Sequence, residues 1–149
     1  MTTKTETAIR KRIILRAPIE RVWDFLTRPD CLQRWFHPAD RVLDSTGPYQ
    51  FYKSAEDKTP NYCWGDVLEA SAPNRLVYTF AHKWLGDHAT RVSWRLTPLE
   101  NGTLLDLVHD QFEGAPVDVF DALADHDKGW DEHFVTLRES VLETESAEA

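Results

Sequence analysis

The chain has 149 residues, 28% of them charged and 11% aromatic, with six tryptophans and a formal net charge of −8. That length suits one domain, residues 1–149, around one core, and the acidic balance argues against a nucleic-acid partner, whose phosphates need a basic surface. No apolar run approaches the ~18 residues of a membrane helix, and the first residues lack the ~7–15-residue apolar segment of a secretory signal, so a cytoplasmic protein without a membrane span is expected.

Thr7 to Arg16 predicts a strand, with Ile9, Ile13 and Leu15 on one face and Arg10, Arg12, Ile14 and Arg16 on the other. Lys11 falls on the apolar face, where its long stem would let the ammonium snorkel out at the strand end. The basic run Arg10-Lys11-Arg12 is read as a solvated strand face. Ala17-Pro18 stops the strand, and Pro18 opens a helix carrying Ile19, Val22, Trp23 and Leu26 as far as about Thr27. Pro29 begins a second short helix whose apolar residues are Leu32, Trp35 and Phe36.

From Asp40 the pattern turns to strands: Arg41 to Asp44, Tyr49 to Ser54, Tyr62 to Ala70, Arg75 to Lys83, His88 to Pro98 and Thr103 to Asp110. Leu76, Tyr78, Phe80 and His82 oppose Val77, Thr79 and Ala81, while Val92, Trp94 and Leu96 oppose Arg91, Ser93 and Arg95. The joints Ser71-Ala72-Pro73-Asn74, Leu85-Gly86-Asp87 and Glu100-Asn101-Gly102 are too short for parallel crossovers, so the strands form an antiparallel meander. After a loop or short helix from Gly114 to Phe120, a long helix is expected from about Asp125 to Glu143. Trp130, Phe134, Leu137 and Val141 make its apolar stripe. A lone helix of this length is marginal in water, so the stripe must lie against the sheet. Residues 1–6 and 144–149 are expected to fray.

The layout is α+β: a curved antiparallel sheet of six to seven strands, two short helices after the first strand, and a long C-terminal helix across the concave face. Across nearly the whole chain, in order, stand Ala17-Pro18-Ile19-Glu20-Arg21-Val22-Trp23, Leu26-Thr27-Arg28-Pro29-Asp30 and Leu32-Gln33-Arg34-Trp35-Phe36. Gly65-Asp66-Val67-Leu68-Glu69, Arg75-Leu76-Val77-Tyr78-Thr79-Phe80, Gly102-Thr103-Leu104-Leu105 and Gly129-Trp130 with Phe134 and Leu137 follow. With these pieces the chain resembles the START-like (SRPBCC) superfamily, which has a helix-grip fold. Within it the likeness is greatest to proteins similar to the C-terminal domain of the heat-shock protein 90 ATPase activator. The resemblance implies a cavity between sheet and last helix, in a superfamily that includes lipid carriers, hormone receptors, polyketide cyclases and chaperone activators. Those chaperone activators carry an additional N-terminal domain, for which this chain has no room.

An empty pocket of ~300 Å³ would cost about 7 kcal/mol at ~24 cal/mol per Å³, so the expected cavity must hold water, a ligand or bulky side chains. Trp35, Phe51, Tyr78, Phe80, Trp94, Trp130 and Phe134 are the candidates to line or fill it, with His82 and His109 as polar groups at strand ends. His126 and His133 flank Trp130 on the last helix, but no metal-ligand spacing is present, and no metal or cofactor is expected. Cys31 and Cys63 fit neither a disulfide framework nor a CxxC site and are read as reduced thiols. No nucleophile or phosphate-loop motif occurs, so no catalytic residue is assigned. The resulting expectation is a carrier of a small hydrophobic molecule. A chaperone activator and a small cyclase-like enzyme are the alternatives, and homodimerisation is left open.

Overall fold

The computed structural model describes residues 8–148, with side chains through Leu142, so most of the tails expected to fray lie outside the fully described residues. The order of elements is β1 (Ile9–Leu15), α1 (Ile19–Thr27), α2 (Pro29–Leu32), β2 (Gly47–Phe51), β3 (Cys63–Ser71) and β4 (Arg75–His82). A short 3₁₀ turn (Lys83–Leu85), β5 (Thr90–Leu99), β6 (Gly102–Asp110) and α3 (Val119–Glu148) follow. All neighbouring strands are antiparallel, in the order β1-β6-β5-β4-β3-β2. Consecutive strands from β2 to β6 are neighbours, as short joints demand from β3 onward, and the α1–α2 segment carries the chain from one sheet edge to the other.

Register fixes the inner face. Leu76 pairs with Trp94 and Tyr78 with Val92, while Trp94 pairs with Leu107 and Val92 with His109. Because side chains alternate along a strand, these residues share one face with Phe80, His82, Leu96 and Leu105. The helices cover that face. Trp130, Phe134, Leu137 and Val141 of α3 are all buried, so the stripe at helical spacing meets the sheet as expected. Trp94 is met edge-on by Trp130 at 5.4 Å and by Trp35 at 6.2 Å, which places the core between β5 and the helices.

At Gly65 on β3 a Cβ would collide with the carbonyl oxygen of Thr79, the same oxygen that accepts the Tyr49 hydroxyl from β2 at 2.6 Å. Only glycine lets those backbones and that side chain meet.

Three local expectations are corrected. Arg41 to Asp44 is not a strand: the Arg41 guanidinium donates to the carbonyls of Val42 and Ser45, holding a bend that sinks Leu43 into the core. The last helix begins at Val119 rather than about Asp125, because Asp118 serves as its cap. The Asp118 carboxylate accepts the Asp121 N–H at 3.0 Å, and its carbonyl accepts the Ala122 N–H. Lys11 does not snorkel to solvent. It crosses from β1 to α3 and pairs with Asp127 at 2.6 Å and Asp131 at 3.0 Å.

Candidate functional site

The aromatic core does not fill all the space between sheet and helix. At the end of β4 it leaves a cavity of about 370 Å³. Its walls come from four places: Phe80 and His82 on β4 with Trp84 just beyond, Tyr62 and Cys63 at the start of β3, Phe36 and His37 after α2, and one flank of α3. That flank is built by helical periodicity, since His126, Gly129, Trp130 and His133 recur at spacings of three and four. Gly129 helps to keep the space open, because a Cβ there would meet nothing within 4 Å.

The rings hold one another in place. Phe36 stacks on Trp130 at 5.3 Å with the planes 13° apart, and meets Phe51 edge-on at 5.1 Å. Trp84 stands at the mouth, 66% exposed, with its ring against Tyr62 at 5.7 Å and His82 at 5.0 Å. No lysine or arginine lines the cavity, and its one acidic residue, Asp125, is exposed.

Four histidines, His37, His82, His126 and His133, line the same cavity, and their hydrogen bonds assign their protons. The ring Nδ1 of His37 lies 3.0 Å from the Lys53 carbonyl, that of His126 2.7 Å from the Ala122 carbonyl, and that of His133 3.0 Å from the Trp35 carbonyl. A carbonyl can only accept, so each Nδ1 carries the hydrogen and each neutral Nε2 keeps a lone pair. His82 then donates from its Nε2 to Nε2 of His126 at 3.0 Å. Nδ1 of His82 is left buried with no partner among the described residues.

Behind them lies His109, fully buried, which accepts the Trp130 indole N–H on Nδ1 at 3.0 Å. Its Nε2–H is donated to Thr90 Oγ1 at 2.8 Å, and that hydroxyl donates to the Phe80 carbonyl at 2.7 Å. Burial lowers the proton affinity of all five imidazoles. His82, buried and beside His126, falls to about 4. Burial also pushes the Cys63 thiol up to about 12, so it is no thiolate nucleophile at neutral pH. The site is therefore uncharged within, walled by rings and studded with lone pairs. No group of three or more His, Cys, Asp or Glu side chains among the described residues could hold a metal ion.

Of the residues singled out from sequence, Phe80, His82 and Trp130 line this cavity. Trp35, Phe51, Tyr78, Trp94 and Phe134 lie in the buried core, and His109 joins that core to the cavity wall through Trp130. His126 and His133, noted as flanking Trp130, both reach the cavity. Phe36, His37, Tyr62 and Trp84 were not named as lining residues; Phe36 was expected on the second helix and Tyr62 on a strand, but α2 ends at Leu32 and β3 begins at Cys63, and outside such elements no periodicity tells which way a side chain points.

Solved structures share the fold. CalU16 of Micromonospora echinospora superposes with a TM-score of 0.69 at 25% identity, covering 90% of this chain and 74% of that one. Protein MLL2253 of Mesorhizobium loti gives 0.75 at 22% identity over 92% and 98%. DynU16, of the dynemicin biosynthetic locus, gives 0.67 at 18% identity, over 91% of this chain and 47% of that one. Comparison with curated proteins gives no match. No helix among the described residues is long and apolar enough to cross a membrane. The family model described as activator of Hsp90 ATPase homolog 1-like protein matches residues 16–141, from the end of β1 to the last buried residue of the α3 stripe, and the chain belongs to that family.

Proposed function

We propose that the chain binds a small, mainly apolar molecule in the cavity between β4 and α3. The observation that carries this is a ring-walled space of about 370 Å³ that the protein's own side chains do not fill. That volume lies within the ~300–1,000 Å³ range of small-molecule sites. A dry void of such size would cost about 9 kcal/mol at ~24 cal/mol per Å³, so the space holds solvent or a guest. Water there faces mostly rings, with the histidine nitrogens as its main partners, which favours exchanging it for a mainly apolar guest at ~25 cal/mol per Å² of buried surface. Trp84 and Trp130 report on occupancy. Titrating fatty acids, flavonoids and polyketide-like aromatics should give a saturable change in tryptophan emission and a raised melting temperature. No saturable change across such a library would end this reading.

A second reading, activation of a heat-shock ATPase, draws on the description of the matching family. Stimulation of a chaperone's ATPase by the purified protein, with no small molecule bound, would put it first.

A further inference from the structure

We infer that the cavity selects a neutral hydroxyaromatic molecule, which donates hydrogen bonds to the bare Nε2 atoms of His37 and His133. The inference rests on the small-molecule reading and adds the chemical class of the guest. Both rings line the cavity, 5.8 Å apart between centroids, so one ring-sized molecule reaches both. Their Nδ1–H groups are committed to the carbonyls of Lys53 and Trp35. Neither Nε2 has a hydrogen-bond partner among the described residues, and neither is shut away from accessible space. The other two cavity histidines do not compete, because the hydrogen bond between His82 and His126 engages Nε2 of each, and the remaining lone pair, on Nδ1 of His82, is buried out of reach of a guest.

Two lone pairs on an otherwise apolar wall ask for donors. A carbonyl or ether oxygen would face them lone pair to lone pair. A carboxylate would do so carrying a charge, without a lysine or arginine in the lining to compensate it and with Asp125 at the mouth. Trp84 is 66% exposed, and no hydrogen bond joins the Tyr62 hydroxyl or the Trp84 indole to either Nε2, so both acceptors stay open to a guest. Burial also lowers the basicity of both imidazoles, so each accepts a phenol's hydrogen bond without taking its proton. The occupant thus stays neutral.

The test is calorimetric titration of three probes of one shape: 2-naphthol, 2-methoxynaphthalene and 2-naphthoate. 2-Naphthol should bind about tenfold or more tighter than its methyl ether, which has lost the donor, and naphthoate should bind weakest. His37→Phe with His133→Phe keeps the rings and removes the acceptors, so it should erase the preference for naphthol over the ether. Should that variant fold poorly, ¹H–¹⁵N correlation spectra of the wild-type histidine rings decide. Nε2 of His37 or of His133, whichever accepts the single hydroxyl, should shift on adding 2-naphthol while Nε2 of His126 stays put. An ether that binds as tightly as naphthol, or a naphthoate that binds tightest, overturns the donor requirement and leaves the small-molecule reading standing. If none of the three binds, the hydroxyaromatic class is overturned, and the titration of the wider library decides the small-molecule reading separately.

Discussion

The indole N–H of Trp130 on α3 donates to Nδ1 of His109 on β6 at 3.0 Å, with both side chains buried. This single bond ties the helix stripe to the sheet and fixes the tautomer of a histidine whose other nitrogen is held by Thr90. It also sets the ring of Trp130 as the floor of the cavity, so the element that closes the core shapes the site.

His109→Leu should therefore cost about 2 kcal/mol or more, because it strands the Trp130 N–H in an apolar setting. Trp130→Ala should cost ~3–5 kcal/mol, while Glu132→Ala on the exposed side should lie within about 0.5 kcal/mol. Urea denaturation midpoints measure all three. A double-mutant cycle between His109 and Trp130 should return a coupling of at least about 0.5 kcal/mol; additive losses would show that the bond is not formed.

Lys11 answers two carboxylates four residues apart on α3. Burial alone would lower its proton affinity, and the bonds to Asp127 and Asp131 more than offset that, so it stays charged. Lys11→Glu would put a third carboxylate there and should lower stability by more than about 1 kcal/mol in dilute buffer. The loss should shrink at 1 M salt, where the screening length is ~3 Å. A salt-independent loss would mean that the effect is packing of the lysine stem.

Acid should weaken the fold through its histidines. In the unfolded chain an imidazole takes up a proton near pH 6.5, whereas His82 in the fold does so only near pH 4, and His37, His109, His126 and His133 shift the same way. Between those values the unfolded state binds more protons. The stability is thus fully present above about pH 6.5 and is lost as pH falls toward 4. Melting temperatures at pH 7.5, 6 and 5 should decline in that order, and His82→Leu should flatten the slope. A flat profile to pH 5 would contradict the buried, neutral cluster.

Gly65→Ala should destabilise by about 1–3 kcal/mol or prevent folding, since the new methyl meets the Thr79 carbonyl, which cannot move aside as a flexible side chain could. A thermal melt within error of wild type would show that β3 and β4 can part there.

The fold was legible because its signals are periodic. The stripe Trp130, Phe134, Leu137 and Val141, and the alternation around Tyr78 and Trp94, each name a buried face without any knowledge of the partner. The antiparallel run from β3 to β6 followed from joints too short to do anything but reverse the chain, whereas the pairing of β1 with β6 left no such signal. The site was legible only where it lies on such elements, at Phe80, His82 and Trp130. Its other wall is set by turns: His37 is aimed by a bond to the Lys53 carbonyl, sixteen residues on, and Trp84 by the 3₁₀ turn after β4. Sequence spacing carries no trace of either. The early start of α3 was hidden in the same way, by an Asp118 cap set among loop-like Gly114, Pro116 and Val117.

Gly129→Leu provides the most direct measurement. The position lies on α3, lines the cavity and has no atom within 4 Å of where a Cβ would stand, so leucine can extend into the space without displacing the core. Leucine also suits a helix interior better than glycine, by up to about 1 kcal/mol. Calorimetric titration of 2-naphthol should show saturable binding to the wild-type protein and at least about tenfold weaker binding to Gly129→Leu, whose melting temperature is unchanged or higher. Undiminished binding to that variant, or no binding to the wild type, would contradict a ligand site between β4 and α3.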